Sequence, residues 1–286
     1  MKIARFSVGD GERVGVVEGT EIVDVTAGMP ALSRDVNAWL ESGPRARTIM
    51  ALLSQDAPRL SITAVELLPP VRPSKILAIG GNYTSHLEKI AHLGIPIGRH
   101  QIWFSKQVSC LIGGRAAMVM PRVSTCLDFE AELGVVIGRR CRHVKAADAS
   151  ACIAGYTVCN DASIRDWQMR SPTMMLGKSF ETMGPVGPWI VTADDIPNPQ
   201  RLRIRAWVND ELRQDGNTSE MRYDIGAQIE ELSTVMTLEP GDLILTGSPA
   251  GTGIESQPPN YLNVGDVVRI EIESIGAIEN RIIAEE

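Results

Sequence analysis

The 286-residue sequence lacks several features that would place it in common functional classes. It has no run of about 18 apolar residues, which argues against a membrane-spanning helix. No basic tract stands out and the formal net charge is −7, so nucleic acid is not an expected partner. Hydrophobic residues make up 44% of the chain, which is typical of a globular protein rather than a disordered one.

The sequence also lacks a Cys-x-x-Cys pair. Its five cysteines are an odd number spread along a long chain, which argues against a disulfide framework and against a zinc site. We therefore expect reduced thiols and a cytoplasmic protein. The cysteines are Cys110, Cys126, Cys141, Cys152 and Cys159.

Two motifs of nucleotide-binding and hydrolytic enzymes are absent. The glycine-rich segment Leu245–Gly253 has no Gly-Lys-Ser/Thr ending, no dinucleotide spacing and no helical pattern after it, which excludes a phosphate loop. The sequence contains no Gly-x-Ser-x-Gly elbow, so it does not indicate a serine hydrolase. We predict instead a tight loop that follows a strand and brings Ser248 and backbone N–H groups to a site.

The sequence divides at a proline-rich break, Leu68–Pro73. Before the break, three short strands joined by Gly/Asp turns precede two helical patterns, Ser33–Leu40 and Ala46–Leu53. We therefore predict a small N-terminal α/β domain over residues 1–70 and a larger second domain over residues 71–286.

Strand patterns dominate the predicted second domain. Few helices separate the strands, and the connections vary, which favours a β-rich α+β fold over a doubly wound sheet. The predicted strands are Lys75–Ile79, Leu133–Ile137, Tyr156–Cys159, Trp189–Val191, Leu202–Val208, Leu243–Leu245 and Val267–Ile272, and the predicted helices are Ala146–Ala154, Ile164–Met169 and Ala227–Met236.

Two glutamates lie in the motif DFEAELGVVIG, residues 128–138. Glu130 and Glu132 are two residues apart, so on a strand both point to one face, about 7 Å apart, and repel each other. Such a pair needs solvent or a cation. Glu271 and Glu273 have the same spacing, but there the solvated face of an antiparallel strand is the simpler explanation.

A third acid, Asp161, ends the predicted strand in GYTVCND. The helix predicted between the two strands allows the second to return beside the first, which would bring Asp161 near Glu130 and Glu132. Three carboxylates without a Cys or His ligand are hard oxygen donors that suit Mg²⁺ or Mn²⁺ rather than zinc. Asp161 would also serve as the N-cap of the helix after it, and the two roles are compatible.

Three further polar residues follow Asp161. Arg165 and Gln168 share one face of the predicted helix, where the guanidinium would bind a substrate carboxylate or form only a surface pair with Asp161. Lys178 lies between apolar and small residues. Near a metal it would stabilise a developing oxyanion, and otherwise its ammonium group would reach solvent along a covered alkyl chain.

These residues belong to ordered blocks that resemble the fumarylacetoacetate hydrolase superfamily, in particular its acylpyruvase and hydroxydienoate isomerase branch. The blocks span about residues 74–253: KILAIGGNYTSH, DFEAELGVVIG, GYTVCNDASIRDWQ, LGKSFETMGPVGPW and EPGDLILTGSPAGTG. The resemblance implies a mixed β-sandwich roll that is usually a homodimer. It also implies a Mg²⁺ or Mn²⁺ ion on Glu130, Glu132 and Asp161, a catalytic Lys178, and substrate contacts from Arg165, Gln168 and Ser248, the last replacing a common threonine.

The sequence departs from the family pattern in Ser85–His100, a segment that we call the lid and predict to be a loop or short helix closing over substrate. Members commonly carry a histidine followed three residues later by a glutamate, a pair that activates water. Here Glu88 follows His86 by two residues, a spacing at which helical side chains do not face each other. Either the lid is irregular and Glu88 still serves, or the catalytic pair is impaired.

The resemblance implies a small 2-oxo acid substrate. With an acylpyruvate, hydroxide generated by His86 would attack C4, and the C3–C4 bond would break to leave a metal-bound pyruvate enolate beside Lys178. The same site would suit an oxaloacetate-type decarboxylase or a 2-hydroxydienoate isomerase. A third alternative is a non-catalytic metal-binding member whose pair has decayed.

Overall fold

The structure is a computed structural model that describes residues 1–9, 11–28, 35–43, 48, 52, 56–90 and 99–286. Strands dominate it, which confirms the predicted β-rich α+β class. The strands are β1 (Lys2–Val8), β2 (Gly11–Glu18), β3 (Glu21–Asp24), β4 (Arg59–Ser61), β5 (Glu66–Leu67), β6 (Ile76–Gly80), β7 (Ile102–Lys106), β8 (Leu111–Gly113), β9 (Met118–Met120), β10 (Leu127–Asp128), β11 (Ala131–Ile137), β12 (Ile153–Asn160), β13 (Ser163–Ile164), β14 (Gly184–Thr192), β15 (Arg203–Val208), β16 (Glu211–Asn217), β17 (Leu243–Leu245), β18 (Val267–Ile272) and β19 (Gly276–Ala284).

The helices are short. The α-helices are α1 (Val25–Gly28), α2 (Val36–Glu41), α3 (Thr84–Ile90), α4 (Arg165–Gln168), α5 (Met175–Lys178) and α6 (Ile225–Val235), and the 3₁₀ helices are Val108–Cys110, Ala146–Cys152, Ala193–Asp195, Thr218–Glu220 and Gly253–Glu255. No helix among the described residues is long and apolar enough to cross a membrane.

One large mixed sheet forms the frame of the molecule. Its strand order is β4-β3-β2-β1-β14-β12-β11-β17-β6-β7, with β5 paired to β1 and β8 paired to β14. The β17–β6 and β14–β8 pairs are parallel, whereas the central β11–β12 pair is antiparallel. The segment with Glu130 and Glu132 and the segment with Asp161 therefore lie in or next to neighbouring strands in the middle of the sheet.

A second sheet, with the order β16-β15-β18-β19-β9, covers one face of the first. The main apolar core lies between them, because it unites Leu133 of β11 and Val158 of β12 with Ile204 of β15 and Ile270 of β18. A smaller core on the other face joins Val136 of β11 to side chains of α2. This two-layer arrangement agrees with the sandwich that the resemblance implied.

Burial on both faces explains the continuous apolar run of β11. All seven of its residues are buried, including Glu132, so the strand shows no alternation of polar and apolar positions. By contrast, β18 alternates between half-buried and buried residues, and Glu271 lies on its open side with Arg205 and Arg269. The pair Glu130 and Glu132 and the pair Glu271 and Glu273 therefore differ in burial, as their sequence contexts predicted.

The helix predictions were less accurate than the strand predictions. Residues Ala146–Cys152 form a 3₁₀ helix rather than an α-helix, and the helix predicted over Ile164–Met169 is the four-residue α4. The predicted Ser33–Leu40 corresponds to α2 where the chain is described, and Ala46–Leu53 lies largely outside the described residues. Short helices lack the sequence length over which a periodic pattern identifies a helix.

The N-terminal strands are continuous with the main sheet. β1 pairs antiparallel with β14, with Ile3 opposite Ile190, so the sheet runs on across the proline-rich break. The division into domains of residues 1–70 and 71–286 stays a prediction.

Candidate active site

Three buried carboxylates converge where β11 and β12 run side by side. Glu132 lies opposite Cys159 in this pair, and the Asp161 N–H donates to the Glu130 carbonyl at 2.9 Å just beyond it. One carboxylate oxygen from each of Glu130, Glu132 and Asp161 lies within 4.8 Å of the others. The return of β12 beside β11 thus brings together acids that are about thirty residues apart in sequence.

The donor set of this cluster fits a hard divalent cation. The three residues are 7%, 2% and 0% exposed, they offer oxygen atoms alone, and one oxygen of each lies within 4.8 Å of the others, close to the span of about 4.2 Å that two metal–oxygen bonds of about 2.1 Å cover. Mg²⁺ and Mn²⁺ both meet these requirements, and Glu130, Glu132 and Asp161 are the residues that would hold either ion.

The electrostatics of the cluster point the same way. Burial raises the pKa of Glu132 well above its ordinary value, and the charges of Asp161 and Glu130 raise that pKa further. For Glu130, burial raises the pKa, but the charges of Arg165 and Lys178 more than offset it, so the net pKa is well below the ordinary value. Glu132 is therefore the acid with the greatest need of a positive partner.

Two buried lysines donate hydrogen bonds to Glu130 and Asp161. Lys178 Nζ donates to Glu130 Oε2 and to Asp161 Oδ2, each at 2.6 Å, and it is 2% exposed. Lys106 Nζ, at the end of β7, donates to Asp161 Oδ1 at 2.7 Å. Lys178 therefore does not extend its ammonium group to solvent, and Asp161 does not act as the helix cap, since the N-cap of α4 is Ile164.

Arg165 is also buried, and its partners differ from the predicted one. Its guanidinium donates to Asp128 Oδ2 and to Glu130 Oε1, both at 2.8 Å, and to Gln168 Oε1 at 2.9 Å. Of the two interpretations offered for Arg165, the surface pair with Asp161 is therefore wrong. The short antiparallel pair of β10 and β13 explains this geometry, because it places Asp128 opposite Ser163, two residues before Arg165.

A close contact between α4 and α5 brings Gln168 and Lys178, which both line the site, near each other. A Cβ atom on Gly177 would lie 2.1 Å from the Gln168 backbone nitrogen, so only glycine allows the two short helices to approach this closely.

The glycine-rich loop after β17 delivers backbone N–H groups to the site, as predicted, but they bind protein carboxylates. The Gly247 N–H donates to Glu132 Oε2 at 2.7 Å, and its positive φ of 94° turns that N–H inward. The Gly253 and Ile254 N–H groups donate to the two oxygens of Asp128. Ser248 lines the site and accepts a hydrogen bond from Gln214 at 2.8 Å.

His86 has a carboxylate partner, but it is Glu255 rather than Glu88. His86 lies on the buried side of α3, and its Nδ1 is 2.5 Å from Glu255 Oε1 in the 3₁₀ helix Gly253–Glu255. Glu255 is fixed by the Gly251 N–H at 2.6 Å and by the Thr252 hydroxyl at 3.0 Å, and its side chain is 6% exposed.

The predicted role of Glu88 beside His86 is not supported by this geometry. Glu88 is exposed on α3, because residues two apart on a helix point in different directions. The remainder of the lid over residues 91–98 lies outside the described residues.

A cavity of about 530 Å³ opens above the carboxylates. Glu130, Glu132, Lys178 and Arg165 form its floor, and its walls are largely apolar, with Leu87, Ile90, Ile102, Phe104, Met174 and Ile254 among them. A cavity of this size and composition is typical of small-molecule sites.

Three functional residues were missed by the sequence analysis. Asp128 lies two residues before Glu130, so the same i, i+2 spacing could have identified it. Lys106 ends an unpredicted strand, and Glu255 follows a loop that was predicted only to carry Ser248. No local pattern connects either residue to its partner.

The chain is similar to known proteins over most of its length. The family model described as fumarylacetoacetate (FAA) hydrolase C-terminal matches residues 75–283. A mitochondrial oxaloacetate tautomerase of Homo sapiens is 39% identical over 269 residues, which cover 93% of this chain and 85% of the relative. A mitochondrial oxaloacetate tautomerase of Xenopus laevis is 39% identical over 292 residues, which cover 99% of this chain and 90% of the relative.

Two solved structures share the whole fold. A fumarylacetoacetate hydrolase from the psychrophile Exiguobacterium antarcticum has a TM-score of 0.87 and 33% identity, with 100% of both chains covered. A maleylpyruvate hydrolase from Sphingobium sp. SYK-6, solved with manganese(II) and pyruvate, has a TM-score of 0.85 and 32% identity, again with 100% of both chains covered. The family match, the shared fold and the ordered sequence blocks together show that this chain belongs to the fumarylacetoacetate hydrolase family.

Proposed function

We propose that the protein is a divalent-metal-dependent hydrolase that cleaves the C3–C4 bond of a 2,4-dioxo acid of the acylpyruvate type. The His86–Glu255 pair carries this proposal, since hydrolysis requires a base that takes a proton from water, and His86 lines the same cavity as Glu130 and Glu132. The solved maleylpyruvate hydrolase, which contains manganese(II) and pyruvate, supports a 2-oxo acid as substrate.

Glu255 sets the state of the histidine. As a carboxylate it accepts a hydrogen bond from His86 Nδ1–H, which leaves Nε2 able to take a proton from water. When Nε2 is protonated, the same carboxylate stabilises the imidazolium charge. Because Glu255 is itself held by Gly251 and Thr252, the imidazole ring is positioned before substrate enters.

The remaining residues hold substrate and balance charge. A Mg²⁺ or Mn²⁺ ion bound by Glu130, Glu132 and Asp161 would supply Lewis acidity toward the 2-oxo acid group. Lys178 Nζ stabilises negative charge that develops on the departing three-carbon fragment, and Arg165 and Gln168, which line the cavity and are hydrogen-bonded to each other, would contact the substrate carboxylate.

The overall reaction balances without a further reactant. The oxygen of water bonds to C4, the C3–C4 bond breaks with its electron pair on C3, and the fragment carrying C4 leaves as a carboxylic acid. C3 then takes a proton, which His86 Nε2 returns, and the other product is pyruvate.

An isotope experiment tests this proposal. The protein would be incubated with Mg²⁺ and acetylpyruvate in water enriched in oxygen-18. We expect acetate and pyruvate in equal amounts, with one oxygen-18 atom in each new acetate. Acetylpyruvate that remains intact with Mg²⁺ and with Mn²⁺, in the presence of protein shown to bind the metal, would refute the proposal.

A second activity, keto–enol tautomerisation of oxaloacetate, is favoured by the 39% identity to the mitochondrial oxaloacetate tautomerases. This reaction moves a proton and needs no attacking water. The enol form absorbs in the ultraviolet, so its decay with and without protein measures the activity, and release of CO₂ in the same mixture measures the alternative decarboxylation. Metal binding without turnover of any of these acids would favour the non-catalytic alternative.

A further inference from the structure

Two arginines that have no role in the proposed reaction also line the cavity, Arg170 and Arg222. Arg170 follows α4, and its guanidinium lies 3.6 Å from the centre of the Trp167 ring. Arg222 lies in the loop before α6, and its guanidinium is 5.3 Å from the centre of the Tyr223 ring. A guanidinium that stacks on an aromatic face keeps its N–H edge available for a carboxylate.

Neither arginine has a close acidic partner among the described residues. Arg222 forms no ion pair with any of them, and Arg170 has only a 4.0 Å contact with Asp166, which is beyond hydrogen-bonding distance. The acids that line the cavity, within the described part of the chain, are Glu130 and Glu132, and both are already bound at the floor. Away from its floor, the cavity therefore carries net positive charge.

The backbone that carries Arg222 is fixed. The Arg222 N–H donates to the Asn82 carbonyl at 2.7 Å, and the Tyr223 N–H donates to Asn82 Oδ1 at 3.0 Å. Asn82 is buried, and its amide donates to the Thr246 carbonyl at 2.8 Å. This chain of contacts links Arg222 to the residue before Gly247, which binds Glu132, so the position of the arginine relative to the floor is set by the fold.

The walls of the cavity favour an apolar spacer. Leu87, Ile90, Ile102, Met169 and Ile254 offer no hydrogen-bonding side chain to a ligand. A substrate that fills the cavity would therefore be polar at the floor, apolar along the walls and anionic where the arginines lie.

We infer that Arg222 and Arg170 are specificity-determining residues that bind a second carboxylate, so that the preferred substrates are 2,4-dioxo acids whose acyl chain ends in a carboxylate. This inference depends on the proposed function for the reaction itself. It adds the chemistry of the distal group, which the carboxylate cluster at the floor does not determine.

The test compares two substrates that differ in one charge. 2,4-Dioxoheptanedioate is a dianion with a distal carboxylate, and its 7-amide is a monoanion of nearly the same size whose distal end is uncharged. We expect the wild-type protein to prefer the dianion, and R222Q to lower the ratio of the two kcat/KM values by about 10-fold, the lower part of the range for a charged hydrogen bond at an exposed site. R222K keeps the charge and should retain part of the preference, and R170Q combined with R222Q should lose more than R222Q alone.

A surface arginine provides the control. Arg142 is exposed after β11 and does not line the cavity, so R142Q removes one positive charge without touching the proposed site. An equal fall in the ratio for R142Q and R222Q would show a general effect of net charge and would overturn the inference.

Binding to a compound that cannot be hydrolysed separates this inference from the proposed reaction. 2-Oxoheptanedioate has the same length but no carbonyl at C4, so its affinity and that of its 7-amide for the Mg²⁺-loaded protein can be measured by calorimetry. If the dianion binds more tightly, and loses this advantage in R222Q and at about 1 M salt, the inference stands even where no substrate turns over. If both substrates are cleaved but neither R222Q nor the double variant changes either preference, the inference is wrong while the proposed function survives.

Discussion

Replacing Glu255 with glutamine tests the assignment of the catalytic pair, because it keeps the size of the side chain and removes its charge. In the wild-type protein Glu255 Oε1 lies 2.5 Å from His86 Nδ1, and Oε2 accepts from the Gly251 N–H at 2.6 Å. Glutamine has one side-chain oxygen for these two positions. Its amide NH₂ must therefore face either the Gly251 N–H, which is also a donor, or the ring of His86.

The expected loss follows from what the carboxylate does. A neutral amide does not stabilise imidazolium, and it favours the wrong tautomer wherever its NH₂ faces Nδ1. General acid–base catalysis contributes about 10²- to 10⁴-fold, so E255Q should lower kcat for hydrolysis by that factor, or about 3–5 kcal/mol of barrier. The unmatched donor should also lower the free energy of unfolding by about 1–3 kcal/mol.

Steady-state hydrolysis of acetylpyruvate with Mg²⁺ measures the effect on kcat, and urea unfolding shows whether the variant is folded under assay conditions. Glu88 supplies the matched control, since it lies on the same helix as His86 but is exposed. We expect E88Q to remain within about threefold of the wild type, as is usual for a surface change that breaks no buried contact. A 100-fold loss in E88Q with an active E255Q would refute the structural assignment and restore the pair suggested by sequence.

Four other expectations concern the metal and the buried charges. E130Q should lower activity by about 100-fold or more and weaken Mg²⁺ binding in calorimetry, since a ligand should matter at least as much as the groups that support ligands; unchanged binding would contradict its place in the cluster. Activity should disappear with a chelator and return with Mg²⁺ or Mn²⁺ but not with Ca²⁺, whose larger shell suits a compact site poorly; recovery with Ca²⁺ alone would count against the assigned ligands. K106M should lower the free energy of urea unfolding by about 3 kcal/mol. This value is near the low end for a broken buried ion pair, because Lys178 still binds Asp161. A loss below about 1 kcal/mol would show that Lys178 alone is enough to stabilise the buried Asp161 carboxylate. Burial raises the pKa of Tyr156 from 10.0 to about 12, so the phenol stays neutral in the folded protein while it ionises in the unfolded chain, and stability is lost between these values. At pH 11 the wild type should have lost about 1.4 kcal/mol of unfolding free energy through this ionisation, and Y156F should not show that loss. Stability curves of the two proteins that stay parallel across pH 9–12 would contradict the raised pKa of Tyr156.

The sequence was informative where a functional residue belongs to a regular element. Glu130, Glu132 and Asp161 lie in or beside two long strands whose apolar runs predict burial, and an acid within such a run requires a positive partner. The strand return that brings them together needs only one connection. These are the conditions under which a local pattern determines a tertiary contact.

The sequence was misleading for the histidine pair. Glu88 was considered because the family pattern places a glutamate shortly after the histidine of the lid, whereas Glu255 is 169 residues away from His86. The pairing depends on how α3 lies against the 3₁₀ helix after the glycine-rich loop, and that contact is set by the large sheet rather than by either segment. Lys106 was missed for the same reason, since it meets Asp161 across 55 residues of chain.

The balance of buried charge connects these contacts to the need for a metal. Four buried carboxylates, Asp128, Glu130, Glu132 and Asp161, face three buried cations, Lys106, Arg165 and Lys178, so the fully ionised set carries a net charge of −1. Each cation is bound to Asp128, Glu130 or Asp161, and Glu132 receives only the Gly247 N–H. This explains why burial and its acidic neighbours hold the pKa of Glu132 so high. A divalent cation would change the net charge to +1, which suits a bound 2-oxo carboxylate. The lysines and the arginine therefore leave one excess negative charge, at the acid that faces the cavity, and that excess is what makes the site fit for a metal ion rather than for a self-sufficient ion-pair network.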